Sequence, residues 1–165
     1  MNHRMDWVRS MSVGFVLCTT LFLSVSVMAD EANAIRVVKL DPAKLAGINL
    51  PDEEQFMPPE DVLDGNHRPR GEVLHYGEQL ITEVYEDDPA TLLFDEPYTY
   101  DEFILVLSGK LVLTGTGGEP QEFVQGESLV IPKGFTGTFQ MVGNYRELIV
   151  IEREAYEAEY GAPEE

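Results

Sequence analysis

In the segment Glu96-Pro97-Tyr98-Thr99-Tyr100-Asp101-Glu102, carboxylates and phenols recur at every second position. An extended chain places alternate side chains on one face, so Glu96, Tyr98, Tyr100 and Glu102 converge if the chain stays extended through Pro97. Two carboxyl groups brought close together in a poorly hydrated cavity repel each other and lose solvation. Both effects raise the pKa of one of them and leave a proton donor beside an acceptor. Such a pair suits acid/base work on a small polar substrate, or retention of an amine or polyol without reaction. The competing reading makes Tyr98 and Tyr100 packing residues and leaves the acids in water.

The elements that must position these groups are short strands. Asp101 to Leu107 and Lys110 to Thr114 are aliphatic runs separated by Ser108-Gly109, which reads as a hairpin turn because the glycine can adopt positive φ. Gly115-Thr116-Gly117-Gly118 ends the second run. Gln121 to Val124 and Ser128 to Ile131 follow, separated by Gln125-Gly126-Glu127 and closed by Pro132-Lys133-Gly134. Gly71 to Tyr76, Gln79 to Tyr85 and Thr91 to Asp95 read as strands upstream. Phe135 to Met141 and Arg146 to Ile151 read as strands downstream, joined by a turn at Val142-Gly143-Asn144-Tyr145. Strand and turn recur at roughly ten-residue spacing, the pattern of an antiparallel sandwich or barrel. Ile35 to Leu40 is expected to form a first strand, pairing at a sheet edge or across a homodimer. Asp41 is expected to cap a short helical turn opened by Pro42, and Pro51 to Pro69 to form a long surface connection. Glu154 to Tyr160 reads as a short acidic helix.

The punctuation of these strands resembles the cupin motifs: Glu102 with Gly109 seven positions on, then Gly126, Pro132 and Gly134. The wording DEFILVLSGKLVL followed by GESLVIPKGFTGTF is most similar to the branch that includes the ureidoglycine aminohydrolase cupin domain and the ethanolamine-utilisation Q-type proteins. The resemblance implies an all-β, single-domain cupin, a double-stranded β-helix or jelly roll, here with a long N-terminal extension. It also implies where a metal would sit in most cupins: a His-x-His pair, a Glu on the same strand and a later His. In this chain Glu102 stands at the Glu position, but the three histidine positions hold Glu96, Tyr98 and Gly137, so the customary imidazole ligands are missing. No cofactor is therefore expected. The alternative is Mn²⁺ or another divalent metal held weakly by Glu96, Glu102 and His75, since hard cations accept oxygen ligands.

The chain has 165 residues, 11 Lys and Arg against 30 Asp and Glu, and a net charge of −19 at pH 7. Such a surface repels phosphate backbones and anionic lipid, which argues against nucleic-acid binding. Arg4 and Arg9 precede an uncharged stretch from Ser10 through Ala29 that ends in Val27-Met28-Ala29, a pattern read as a secretory signal over residues 1–29. A retained membrane anchor is the other reading of the same stretch. Cys18, the sole cysteine, lies within it, so the exported chain has no disulfide and depends on its hydrophobic core. The remaining organisation is an N-terminal strand and Pro/acid-rich connection over 30–70, a cupin domain over 71–153 and an acidic tail over 154–165.

Two functions fit these residues. The favoured one is an exported, periplasmic or extracellular protein that holds a small polar molecule in its barrel, with no stable membrane association after signal cleavage. Tyr98, Tyr100, Phe139 and Tyr85 would contact the ligand. The other is a hydrolase or isomerase acting on a small nitrogenous or sugar-derived substrate, with Glu96 and Glu102 as catalytic acid and base or as metal ligands.

Overall fold

The computed structural model describes residues 36–162. The segment read as a signal lies outside them. Eight strands carry the fold: β1 (Val62–Gly65), β2 (Arg70–Tyr76), β3 (Leu80–Asp87), β4 (Ala90–Phe94), β5 (Glu102–Gly115), β6 (Gln121–Val124), β7 (Ser128–Ile131) and β8 (Gly137–Glu152). Two helices flank them, α1 (Pro42–Leu45) and α2 (Arg153–Tyr160). All pairings between strands are antiparallel.

β5 and β8 run side by side and both change partners halfway. Residues 102–105 of β5 pair with β7, whereas 110–113 pair with β6. Residues 137–141 of β8 pair with β4, whereas 145–152 pair with β3. One continuous sheet is thereby folded into two five-stranded layers. The first runs β1-β4-β8-β5-β6 and the second β2-β3-β8-β5-β7, with the long strands common to both. Inward side chains from both layers form one core that includes Leu92, Ile104, Leu111, Ile131, Met141 and Tyr145. This is the expected jelly roll.

The connections at its corner differ from the expected ones. Ser108-Gly109 does not turn the chain back on itself, and neither does Val142-Gly143-Asn144-Tyr145. The register between β5 and β8 shifts around Ser108, where Val106 faces Glu147, Ser108 faces Arg146 and Lys110 faces Val142. Both sites are bulges in unbroken strands, facing each other, and they bend the sheet rather than reverse it. Gly109 has a φ of 72°, as a hairpin glycine would, so the residue type could not separate the two outcomes. Partner choice separates them, because each half of β5 finds its neighbours far along the chain.

The N-terminal expectations are partly met. Asp41 caps α1, its side chain accepting a hydrogen bond from the Ala43 N–H at 2.8 Å, with Pro42 in the first turn. Arg36–Leu40 is not a strand: it forms no ladder, and Val37 is fully exposed. Within the long connection, Val62–Gly65 adds a strand to the edge of β4. Upstream, Pro51–Met57 forms a strap held to the start of β2, with the Glu53 N–H donating to Pro69 O at 2.9 Å and the Gly71 N–H to Pro51 O at 3.1 Å.

The corner makes a testable demand on Gly109. A Cβ there would lie 2.8 Å from the Val142 carbonyl oxygen and 2.9 Å from that of Asn144, besides occupying a left-handed conformation. Gly126 also has positive φ (89°), but nothing lies within 4 Å of its added Cβ. Gly126→Ala is expected to cost about 1 kcal/mol from backbone conformation alone, and Gly109→Ala about 2–4 kcal/mol because the crowding adds to it. Urea unfolding of both variants measures the difference, and equal losses would refute the account of the corner.

Candidate functional site

Between the layers, at the end bordered by the strap and α2, lies an open-mouthed cavity of about 690 Å³, within the range typical of small-molecule sites. Its walls combine an aliphatic side of Leu92, Ile149 and Ile151 with an aromatic side of Phe94, Tyr98, Tyr100 and Phe139. α2 reaches the cavity with Tyr156 and Tyr160. It is fastened by the Tyr100 and Tyr160 hydroxyls at 2.9 Å and by the Arg153 guanidinium stacked 4.5 Å over the Tyr76 ring.

Three carboxylic acids project inward from adjacent strands. Glu83 on β3 is paired across to Ile149 of β8, and Glu147 of β8 to Tyr85 of β3. On the other side of β8 lies β5, with Ile104 facing Ile149 and Glu102 at the strand's start. The acids thus occupy successive rows of one inner face, each beside apolar or phenolic neighbours. Glu102 is 7% exposed and Glu147 2%. Burial raises all three carboxyls: Glu102 to about 7, Glu83 to about 8, and Glu147 well above the ordinary range. After burial, Glu53 and Glu102 raise Glu83 further, and Glu102 raises Glu147. The Tyr145 hydroxyl donates to Glu147 and partly offsets its rise. No lysine, arginine or histidine pairs with any of the three among the described residues.

The residues expected from sequence separate into three groups. Glu102, Tyr98, Tyr100, Phe139 and Tyr85 all line the cavity. Glu96 is at its mouth but exposed, because β4 ends at Phe94 and the chain bends over residues 95–101 instead of staying extended. Glu96 is therefore not the buried partner of Glu102; that place belongs to Glu83 and Glu147. His75 lies elsewhere. It sits on the edge strand β2, after a register shift at Val73/His75, and does not border the cavity. The set Glu96, Glu102 and His75 is consequently not assembled. Nor do the positions of the customary cupin ligands suit a metal. Tyr98 is packed against Phe94 and Phe135, with ring centroids at 5.1 and 5.9 Å, and Gly137 offers no donor. Among the described residues no three His, Cys, Asp or Glu side chains are gathered to hold a metal ion.

Sequence reasoning missed Glu83, Glu147, Glu53 and the two tyrosines of α2. It also missed a buried polar anchor behind Tyr85. The Asp87 carboxylate accepts hydrogen bonds from the Tyr85 hydroxyl at 2.7 Å and from the Arg68 and Asp88 N–H groups at 2.6 and 2.7 Å. Its Oδ2 also lies 2.6 Å from His67 Nδ1. This network fixes the Tyr85 ring against the cavity wall.

The buried acids dictate how stability varies with pH. With folded-state values above the unfolded ones, the native protein binds more protons than the unfolded chain. Stability is then fully present below the unfolded value and is lost as pH rises through the folded ones. The melting temperature is expected to fall between about pH 5 and pH 8, the window set by the values of about 7 and about 8 for Glu102 and Glu83. Glu102→Gln should flatten that decline and gain on the order of 1 kcal/mol at its alkaline end. Glu119→Gln, on an exposed turn, should leave the decline unchanged. Melting curves that climb with pH, or a decline indifferent to Glu102→Gln, would contradict this.

Comparison with known proteins agrees with the architecture. Residues 93–146 match the family model of the EutQ-like cupin domain. Among solved structures, the chain is similar to an ethanolamine utilization protein Q from Salmonella typhimurium LT2, with 26% identity over 53% of this chain and 71% of that one and a TM-score of 0.47. It is similar to the EutQ protein of Clostridium difficile, with 22% identity over 59% and 80% of the two chains and a TM-score of 0.47. A protein of unknown function from Pseudomonas syringae pv. tomato shares the fold, with a TM-score of 0.55 and 17% identity over 62% of this chain and 43% of that one. No curated protein matches the sequence. The jelly roll built on β5 and β8 carries, over residues 93–146, a stretch that matches the EutQ-like cupin domain.

Proposed function

We infer that this is an exported cupin-domain protein that binds a small polar molecule between its sheets without catalysis and without the usual cupin metal. The observation that carries the reading is the cavity of about 690 Å³ in which Glu83, Glu102 and Glu147 present acid groups beside tyrosine hydroxyls and an aliphatic wall. A cavity of that size with convergent polar groups on an apolar lining is what a small organic ligand requires. Export is supported by the charge pattern of residues 1–29. The displaced metal positions support binding over metal-assisted chemistry.

One feature favours a second reading, a hydrolase or isomerase of the ureidoglycine aminohydrolase-like kind acting on a small nitrogenous or sugar-derived substrate. Glu102 has its carboxyl raised to about 7 beside the higher-lying Glu147, which supplies a proton acceptor and a donor at neutral pH. In that case Glu102 and Glu147, rather than Glu96, exchange the proton.

Native mass spectrometry of the protein isolated from its own secreted or periplasmic fraction tests the binding function. A bound small organic molecule is expected, lost or weakened in Glu102→Gln, with no stoichiometric metal. An empty cavity whose thermal stability ignores a panel of small polar compounds would refute binding. A stoichiometric divalent metal that disappears with Glu102→Gln would replace this reading with a metalloenzyme. Turnover of a bound compound, abolished by Glu102→Gln with its affinity retained, would favour the second reading.

A further inference from the structure

Among the described residues the cavity lining carries seven glutamates and five tyrosines but not one lysine, arginine or histidine. The glutamates come from every element that encloses the space: Glu53 and Glu54 from the strap, Glu96 from the bend after β4, Glu159 from α2, and Glu83, Glu102 and Glu147 from the sheet. Glu102 is more than nine-tenths buried, lines the cavity, and makes no side-chain hydrogen bond among the described residues. Facing it are Glu83 of β3, Glu147 and Tyr145 of β8, Tyr98 and Tyr100 of the 95–101 bend, and Tyr160 of α2. All are acids or neutral phenols. Burial raises these tyrosines, so they stay neutral and able to donate.

We propose that the occupant of this cavity is an organic ammonium compound, with its cationic end among Glu83, Glu102 and Glu147 and its hydrocarbon part over the aliphatic wall. The proposal rests on the binding function inferred above and narrows it to one chemical class. An ammonium supplies the opposite charge the acids lack, and its N–H groups donate to carboxylate oxygens whose one donor among the described residues is the Tyr145 hydroxyl at Glu147. The rings add a second attraction. Phe94, Tyr98, Tyr100 and Phe139 form a contiguous cluster with centroids 5.1 to 6.1 Å apart along the cavity wall, and such faces attract desolvated cations. A neutral polyol gains hydrogen bonds but no ionic attraction, and an anion is repelled. A bare divalent cation needs several oxygen ligands gathered at once, an arrangement absent among the described residues.

The charge balance of binding follows. In the empty cavity the acids keep protons because they are buried and crowd one another. An incoming ammonium displaces such a proton: the carboxyl O–H bond breaks, the proton passes to buffer, and an ammonium N–H takes its place at the carboxylate. Affinity therefore rises with pH while the acids are still protonated and the amine is still charged.

Isothermal titration calorimetry on the full mature protein tests this, with putrescine and n-butylamine as ammonium probes, butanediol as the neutral counterpart and manganese chloride as the metal probe. Repeating each titration in buffers of different ionisation enthalpy counts protons. The amines are expected to bind in preference to butanediol and manganese, releasing up to about one proton per seated ammonium, with affinity rising towards tenfold per pH unit below about pH 7 and more gently above it as Glu102 loses its proton unaided. Glu102→Gln should lower amine affinity at least about tenfold and flatten its pH dependence; Glu119→Gln should do neither. The wild-type slope and proton count stand as a test even where a variant does not fold. Butanediol binding as tightly as the amines would overturn the ammonium assignment and leave the broader polar-ligand function intact. Preferential manganese binding, or amine binding without proton release, would overturn it as well. Failure of every probe at millimolar concentration would also overturn it, and native mass spectrometry of the isolated protein then decides whether the broader function falls too.

Discussion

The architecture depends on two long strands bending at the same place. β5 and β8 lie side by side for most of their length, so a kink in one alone would break the ladder between them. Opposed bulges at Ser108-Gly109 and Gly143–Tyr145 let both turn while their backbone groups stay paired on either side. The bend sends the first half of β5 to β7 and the second to β6, and it does the same for β8 with β3 and β4. Without it the sheet would stay open and Glu83, Glu102 and Glu147 would face water. Closure of the sheet is what converts three ordinary carboxylates into groups that hold protons near neutral pH.

That conversion opposes stability. Burying an acid with no cation beside it disfavours its charged form, and three such acids on adjacent strands compound the effect. The core below them is apolar and tightly enclosed, with Ile104, Val106, Leu111 and Tyr145 almost wholly shielded. Tyr145 joins the two regions: its ring lies in that core, and its hydroxyl donates to Glu147. The Asp87 network is the contrasting case. There a buried carboxylate has its oxygens filled by backbone and side-chain partners, as a structural acid requires. Among the described residues Glu83 and Glu102 have no such partner and Glu147 has only the Tyr145 hydroxyl, so these carboxyls keep hydrogen-bonding capacity that the Asp87 network has used up.

The turns at Gly126 and Gly134, the cap at Asp41 and the strands β2, β3, β4, β6 and β7 were legible because local chemistry decides them, whereas β5 read as two strands of a hairpin. The bulges were not. Positive φ at Gly109 serves a hairpin and a bulge equally, and only the distant pairings of β5 choose between them. Side-chain facing failed for a related reason. In β3 both alternating sets, Ile81-Glu83-Tyr85-Asp87 and Leu80-Thr82-Val84-Glu86, mix apolar and polar residues. In β8 the set Tyr145-Glu147-Ile149-Ile151 is scarcely distinguishable from Leu148 and Val150 on the other face. Period-two patterning names the inward face only when one face is polar, and strands packed on both sides supply no such contrast. Glu96 failed for the opposite reason: its assigned face assumed extended backbone, which the chain abandons once β4 ends.

The matched cupin region covers residues 93–146, yet much of the cavity chemistry lies outside it. Glu102, Tyr98, Tyr100, Phe94 and Phe139 fall within the match. Glu83, Glu147, Glu53, Tyr85, Tyr156 and Tyr160 do not. The strap and α2 are additions to the two-layer scaffold, and both bring acids or phenols to the same space. The bent sheet therefore fixes where the cavity is, whereas its charge comes jointly from Glu96 and Glu102 inside the matched region and from Glu53, Glu54, Glu83, Glu147 and Glu159 outside it. Relatives that keep the bend at β5 and β8 but place lysine, arginine or an apolar residue at the positions of Glu83 and Glu147 would enclose a similar volume with a different affinity. Of the three inward acids here, the cupin motif supplies Glu102, while β3 and the second half of β8 supply Glu83 and Glu147, so the motif alone does not determine what the cavity can hold.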